Sequence, residues 1–457
     1  MASAMTDADL IARYDGRVPR YTSYPTAPHF HGGIGAEAYA AWLAALPSDA
    51  ELSLYLHVPF CDRLCLYCGC HTTVAHHERP KRTYAQAMAQ EIGLVAATLG
   101  RRARVSHIHW GGGTPTALPN GCLAGLMDLI RARFDVKADA EIAIEIDPAA
   151  LPAEKLAALG GIGLTRASLG VQDFDETVQK AIGRMQSFEE TRAVAEGLRR
   201  QGVTSINLDL IYGLPYQTEA SVTRTAWLAL ELAPDRAAVF GYAHVPWMKK
   251  HQKLISEAAL PDGPMRLRQE AAIRAVLERE GGMLPVGLDH YALPSDAMAW
   301  AARAGALQRG FQGYTTDSAP VLIGLGASAI GTLPQGYVQN QPGIPAYEAI
   351  IAAGRLPVVR GVALNDEDRL RRAVIERIMC GLAVDLPAMA RDFAAAPDAL
   401  LAAAAPLSGF AADGLVEWDG ATLRMTPRGR PFMRNVAALF DAYLPAVSDQ
   451  PRHARAV

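Results

Sequence analysis

Between Pro59 and Cys68 the chain sets three thiols, Cys61, Cys65 and Cys68, at C-x3-C-x2-C. No export signal precedes them, and such a cluster in an intracellular chain points to metal rather than to a disulfide framework. A structural zinc site takes four N or S ligands in two separated pairs. Three thiolates in one loop suit instead an iron-sulfur cubane with one iron open to a small ligand. A fourth thiol, Cys70, leaves a zinc site of Cys61, Cys65, Cys68 and Cys70 as the alternative, although a terminal C-x-C fits tetrahedral closure badly. Cys122 and Cys380 stand alone in apolar helical contexts and read as core thiols.

A chain of 457 residues, half of them apolar and a fifth charged, can bury a main domain and a smaller one. The formal net charge of -3 gives no whole-molecule attraction to nucleic acid. The amino terminus has no basic segment leading into an apolar run, and the most apolar stretch, Pro320 to Leu333, is short and broken by glycines. These features predict a soluble, cytoplasmic monomer with neither membrane nor nucleic acid as partner.

From Leu52 the chain alternates strand and helix. Strands are expected at Leu52 to Val58, Val105 to Trp110, Glu141 to Ile146, Arg166 to Leu169, Ser205 to Leu210 and Arg236 to Phe240, with a further candidate at Met283 to Val286. Helical spacing fills Thr83 to Leu99, Leu123 to Phe134, Phe188 to Gln201, Ser221 to Leu232 and Met265 to Arg279. Such alternation predicts a parallel sheet with right-handed crossovers: an incomplete (β/α)6-type barrel, with a doubly wound sheet as competitor. The barrel is favoured because the Cys loop, Gly111 to Thr116, Glu145, Gln172 and Asp209 all fall at carboxyl ends of strands, where barrels build active sites. The triple glycine allows close backbone approach to a ligand, and Thr114-Pro115 reads as a helix start presenting free N–H groups to an anion.

Three parts are expected: an arm over residues 1–50, the barrel over 51–362 and a C-terminal domain over 363–457. In the arm, Pro19 to Thr26 brackets Arg20 and Tyr24 between prolines. It either packs its tyrosines on the core or forms a substrate lid in which Arg20 meets an anion. The C-terminal part reads as helices at Asp366 to Met379, Leu386 to Phe393 and Pro397 to Ala405, then a small hairpin and a helix from Arg428 to Leu444. That pattern is winged-helix-like, but without a dense basic face it suggests a lid rather than DNA binding.

The Cys loop, with its aromatic Tyr67 before the last thiol, resembles that of radical S-adenosylmethionine (SAM) enzymes. Over nearly its whole length the chain resembles the oxygen-independent coproporphyrinogen III oxidases (dehydrogenases) of haem biosynthesis. The matching stretches are Pro19 to Thr26, His57 to Cys70, His109 to Thr116, Gly170 to Phe174, Asp209 to Pro215 and Phe311 to Thr316. The resemblance implies a 4Fe-4S cluster on Cys61, Cys65 and Cys68, with Cys70 outside the ligand set. It also implies two SAM molecules: one near Tyr55, Gly112, Glu145 and Ile330, a second near Tyr67, Gly113, Thr114, Gln172, Arg184, Asp209 and Ala243. The implied activity converts two propionates of coproporphyrinogen III to vinyls, giving protoporphyrinogen IX, through a 5'-deoxyadenosyl radical. A low-potential donor of flavodoxin or ferredoxin type would supply the electron, and Arg20 and Tyr24 are the candidate substrate contacts. The alternatives are a haem chaperone of the same superfamily and a radical SAM haem-opening enzyme. Chaperone relatives lack the Pro19 to Thr26 arm and the Gly69-Cys70 pair, both present here.

Overall fold

In the computed structural model, which describes residues 5–149, 151–444 and 453–456, a twelve-stranded mixed sheet forms the centre. Its first six strands are β1 (Leu52–Val58), β2 (Arg104–Gly112), β3 (Asp135–Ile146), β4 (Arg166–Gln172), β5 (Ser205–Tyr212) and β6 (Arg236–Gly241). They lie side by side in chain order and all run parallel. A doubly wound sheet would instead reverse its strand order near the middle. Beyond β6 stand β8 (His290–Ala292) and the edge strand β7 (Leu284–Val286), both in antiparallel pairings. On the other side β1 pairs in parallel with β9 (Val321–Leu325), from which β10 (Ile330–Leu333), β11 (Gly336–Asn340) and β12 (Val358–Ala363) meander outward. The sheet never closes, so the architecture is the expected incomplete barrel.

The parallel strands are near-continuous apolar runs because helices cover one face and packed side chains fill the other. Leu52, Leu54, Leu56 and Val58 of β1 are all buried. The helix Glu78–Leu99 buries Tyr84, Met88, Ile92, Val95 and Leu99 at helical spacing, and Gly100 ends it in the left-handed conformation at φ +66. Capping boxes start Phe188–Arg200 at Ser187 and Glu219–Glu231 at Thr218. No helix among the described residues is long and apolar enough to cross a membrane.

A buried polar seam runs along Glu78–Leu99. The Tyr84 hydroxyl donates to His57 O at 2.7 Å and accepts from Ala327 N at 2.7 Å. Two turns on, the Glu91 carboxylate accepts from Gly326 N (2.7 Å), the Asn340 side chain (2.6 Å) and the Tyr347 hydroxyl (2.6 Å). One helix thereby ties the end of β1 to the turn after β9.

Residues 5–50 divide between two cores rather than forming one arm. Tyr39 and Leu43 of the helix Ala36–Ala44 join the sheet core, whereas Leu10, Val18, Tyr21 and Tyr24 pack into the C-terminal core with Leu370, Ile378, Phe432 and Phe440. The C-terminal part carries the helices Asp366–Gly381, Leu386–Asp392, Asp398–Ala403 and Leu407–Ala412 beside a small sheet. That sheet has a strand, Ala383–Asp385, which the hairpin reading missed. The helix expected from Arg428 to Leu444 is shorter: a 3-10 turn, Arg430–Phe432, runs into Met433–Ala438. Beyond it Ala442 N bonds to the Tyr24 hydroxyl and Tyr443 N to Asp441, so these groups do not continue the helical ladder. Cys380 is buried and Cys122 half-buried against the sheet core, away from the Cys loop.

Glu91 makes the seam testable. Burial pushes its carboxyl up from 4.5 to about 7, against the pull of its three hydrogen bonds. A folded-state value above the unfolded one stabilises fully below 4.5, and that contribution is lost as pH rises through about 7. Glu91→Gln keeps the shape without the titration, so its thermal midpoint relative to wild type should rise between about pH 5 and about pH 8. Glu91→Ala leaves Gly326 N and the Tyr347 hydroxyl without their acceptor and should cost about 3 kcal/mol below about pH 5 in denaturant unfolding, a cost that shrinks as pH rises through about 7.

Candidate active site

The loop after β1 turns back on itself through a two-residue pairing of Phe60–Cys61 with Thr73–Val74. This holds Cys61, Cys65 and Cys68 on one wall of a cavity of about 640 Å³ at the carboxyl ends of the strands. Each sulfur faces a donor: Thr72 Oγ1 to Cys61 at 3.1 Å, Arg184 Nη1 to Cys65 at 3.5 Å, and Cys70 N to Cys68 at 3.4 Å. The hydrogen bond from the Cys70 side chain lowers the Cys68 thiol to about 6, whereas burial pushes Cys61 up to about 11. Among the described residues, no three His, Cys, Asp or Glu side chains converge as ligands of a single ion. The thiols, Cys70 among them, line the cavity rather than closing on one point, which suits a cluster better than a four-thiol zinc site.

The glycine loop does not present free N–H groups as expected. Gly112 N donates to Glu145 Oε2 at 3.1 Å, Gly113 N to Val58 O at 2.9 Å and Thr114 N to Phe60 O at 2.8 Å. The 3-10 turn Pro115–Ala117 comes next, without a side-chain cap from Thr114, because the Thr114 hydroxyl bonds Thr116 and accepts from Asp147 N. The loop instead stitches β2 to the Cys loop. Its glycines are required by proximity: Gly112 sits at φ +122 with Val58 O 2.6 Å from where a Cβ would lie, and at Gly113 a Cβ would meet Phe60 O at 2.4 Å and Cys61 Sγ at 2.8 Å.

Other predicted residues gather on the same cavity. Glu145 also bonds His109 Nε2 at 3.2 Å. Burial raises its carboxyl, but the His109 contact and Gly112 N outweigh that and hold it below its usual value. Asp209 accepts from Ser168 (2.9 Å) and Asn207 (2.8 Å), and burial lifts it to about 6. Gln172 ends β4 at φ +67, where the register with β5 shifts. Arg184 pairs with the Asp147 carboxylate, engaging both oxygens at 3.3 and 3.0 Å, and it also donates to Gly170 O. Tyr67 and Ala243 are clamped by one buried side chain, Gln252, which donates to both backbone carbonyls. Arg20 reaches the opposite wall.

Three predicted residues do not line this cavity. Tyr55 lies behind it, stacked on His109 with ring centroids 5.8 Å apart and its hydroxyl on His57. Ile330 packs on β10 beside Phe30 and Tyr337. Tyr24, expected at substrate, is 1% exposed in the C-terminal core, where burying its ring anchors the arm. Sequence reading missed Asp147, His109 and Gln252. Asp147 could have been sought two residues past Glu145, whereas nothing local marks Gln252. Lys249 Nζ on Cys70 O and His251 on Cys68 O fasten the same segment to the Cys loop.

The radical SAM superfamily model matches residues 55–228, and that of the HemN C-terminal domain residues 364–432. The oxygen-independent coproporphyrinogen III oxidase of Bradyrhizobium diazoefficiens is 52% identical over 451 residues, 98% of this chain and 100% of the relative. This chain belongs to the oxygen-independent coproporphyrinogen III oxidase family. The Escherichia coli member is 40% identical over 96% of this chain and 95% of its own length. A solved structure, described as coproporphyrinogen III oxidase from Escherichia coli and a radical SAM enzyme, superposes with a TM-score of 0.87 at 38% identity, covering 94% of this chain and all of that one. A radical SAM oxidoreductase of this family works with a 4Fe-4S cluster and SAM. The thiols facing the cavity come from one loop, Cys61, Cys65 and Cys68 at C-x3-C-x2-C with Cys70 beside Cys68, and that spacing fits a cluster with an open iron.

Gly113→Ala should push the loop at Phe60 and Cys61 and lower the iron retained after anaerobic reconstitution to less than about half. Gly121→Ala, where a Cβ meets nothing within 4 Å, is the control and should retain wild-type iron.

Proposed function

We propose that this protein converts two propionates of coproporphyrinogen III to vinyl groups without oxygen, giving protoporphyrinogen IX, as a cytoplasmic monomer. The observation that carries the reading is one cavity with three cluster-type thiols on one wall and Arg20 on the opposite one, in a chain that matches its curated relatives along nearly their whole length. Each conversion removes a hydrogen atom from the propionate β-carbon, releases the carboxyl as CO2 and passes one further electron to an acceptor. Acid–base groups give only about 10²–10⁴-fold, too little for so weakly acidic a C–H. SAM bound beside a cluster held by Cys61, Cys65 and Cys68 would supply a 5'-deoxyadenosyl radical, given an electron from a low-potential donor of flavodoxin or ferredoxin type.

The chain's own residues bind and orient. Cys61, Cys65 and Cys68 hold the cluster. Gly112 and Glu145 would hold one SAM, with Tyr55 and Ile330 shaping its far side. Tyr67, Gly113, Thr114, Gln172, Arg184, Asp209 and Ala243 would hold a second. Glu145, kept ionised by His109 and Gly112 N, suits a cationic amino group, and Asp209 can accept from hydroxyls. Arg20, held by one bond to Gly241 O at 3.2 Å, remains able to meet a substrate carboxylate. The exposed Lys250 and Lys253, beside exposed Met248 and Leu254 on the segment that grips the Cys loop, suit an anionic electron carrier.

Cys61→Ala, Cys65→Ala and Cys68→Ala should each abolish the reconstituted cluster, and Cys70→Ser should keep its iron and sulfide. Equal loss in Cys70→Ser would put the ligand set in error. Coproporphyrinogen III deuterated at the propionate β-carbons should deliver deuterium into 5'-deoxyadenosine during anaerobic turnover, with CO2 released. Unlabelled deoxyadenosine alongside substrate consumption would exclude direct abstraction, and turnover of haem instead would point to the haem-opening reaction.

A further inference from the structure

Behind Arg20 lies a second, smaller cavity of about 60 Å³, bordered like the first by Phe240, Gly241, Tyr242 and Ala243. Seven arginines line it, and with Arg274 and Arg455 each set against a carboxylate, five guanidiniums remain: Arg20, Arg266, Arg309, Arg430 and Arg434. Of the carboxylates on its wall, Glu270 is matched with Arg274 at 3.7 Å, which leaves Asp289, itself bonded to His290 at 2.7 Å. Asp15 nearby is taken by Arg455 at 2.9 Å. A chain of net charge -3 thus concentrates positive charge in one interior space.

The guanidiniums are also underused. Among the described residues, Arg266 Nε, Arg309 Nε and Nη1, and Arg430 Nε and Nη2 are buried without a hydrogen-bond partner. Arg430 is only 9% exposed. Buried donors left unpaired, and buried like charges left unmatched, are each costly, so such a set persists where a ligand satisfies it. Burial, with Arg20 beside it, depresses Arg434 to about 10, as expected where positive charge lacks a counter-ion. The missing partner is therefore an anion.

Its size and place narrow the choice. One water needs about 10–15 Å³ of such accessible space, so about 60 Å³ admits a group of a few heavy atoms, such as a carboxylate, and no macrocycle. The planar guanidinium fork matches a carboxylate bidentately. The neighbouring 640 Å³ cavity, which holds the thiols, falls in the ordinary range for a whole ligand. We propose that the arginine cavity is a carboxylate subsite that receives a propionate of the tetrapyrrole other than the one being cut, and so fixes which edge of the ring faces the cluster. This rests on the coproporphyrinogen reading above. Arg20, common to both cavities, sits at the junction, and Arg309, which donates to Arg20 O at 3.2 Å, and Arg430 line the smaller one.

The test uses full-length, cluster-loaded enzyme with SAM. Arg309→Gln and Arg430→Gln should each weaken binding of coproporphyrin III, followed by its fluorescence, about ten- to a hundred-fold, with Arg430→Lys recovering part of the loss. The KM for coproporphyrinogen III should rise in step while the KM for SAM stays put. Iron content and thermal midpoint establish that each variant is folded. A folded Gln variant that binds the free acid as wild type does overturns the subsite, and so does a wild type that binds the tetramethyl ester as tightly as the free acid. A rise in the KM for SAM instead assigns the cavity to the cofactor and also overturns it. Wild-type enzyme that neither binds the free acid nor turns over coproporphyrinogen III is a different failure, that of the functional reading itself.

Discussion

Two hydroxyl hydrogen bonds of Tyr84 and the three-donor grip on Glu91 hold the turn at Gly326-Ala327 against the end of β1. In a closed barrel, strand pairing alone would fix every loop on the rim. Here the sheet is open, and β1, which leads into the Cys loop, needs a neighbour on each side that the ladder does not guarantee. β9 supplies it, in register from Leu52 with Val321 to Leu56 with Leu325. The polar seam makes that register specific, since a slip would leave buried donors around a buried carboxylate unpaired. The thiol positions, the stitching of the glycine loop to Val58 and Phe60, and the stacking of Tyr55 on His109 all depend on β1 being held in this place.

The site has two electrostatic halves. Around the thiols, donors are spent on sulfur and on the protein's own carboxylates: Thr72 on Cys61, Arg184 on Cys65 and Asp147, Gly112 on Glu145. Apart from Arg63 Nε and Arg184 Nε, the polar groups there are largely placed, which suits a permanent centre that must not reorganise. Beyond Arg20 the balance reverses, with guanidinium donors that the protein itself leaves unmet. A resident group and a transient one call for these two different states of preparation.

The barrel was legible because parallel strands write themselves as apolar runs closed by polar rim residues, as at Glu145 and Asp209, and because β1 to β6 follow chain order. On the flanks only β7 was legible, as the candidate at Met283 to Val286; β9 and β10 were not, since they are glycine-broken segments that read equally as turns. The thiols and the glycine loop were legible as local spacing. What the glycines do was not: their N–H groups find acceptors on β1 and at Glu145, through contacts that no local pattern encodes. Tyr24 and Arg20 stand four residues apart in one Pro-bracketed loop, yet one packs into the C-terminal core and the other opens on the cavity. The arginine cavity joins residues from 20 to 434, and nothing in their local sequence announces a shared charge.

The pairing of β1 with β9 also bears on the order of assembly. Leu52 leaves the ribosome long before Val321, and the turn that Tyr84 and Glu91 grip comes later still, at Gly326. Pairings between residues so distant in sequence form slowly, and during synthesis they cannot begin until the later segment has emerged. The three thiols, all in place on the nascent chain by Cys68, must therefore wait through most of translation before the wall that orients them exists. Cluster insertion into the finished geometry is thereby a late event, and premature capture of metal by the loop would meet a chain that has not yet built its site.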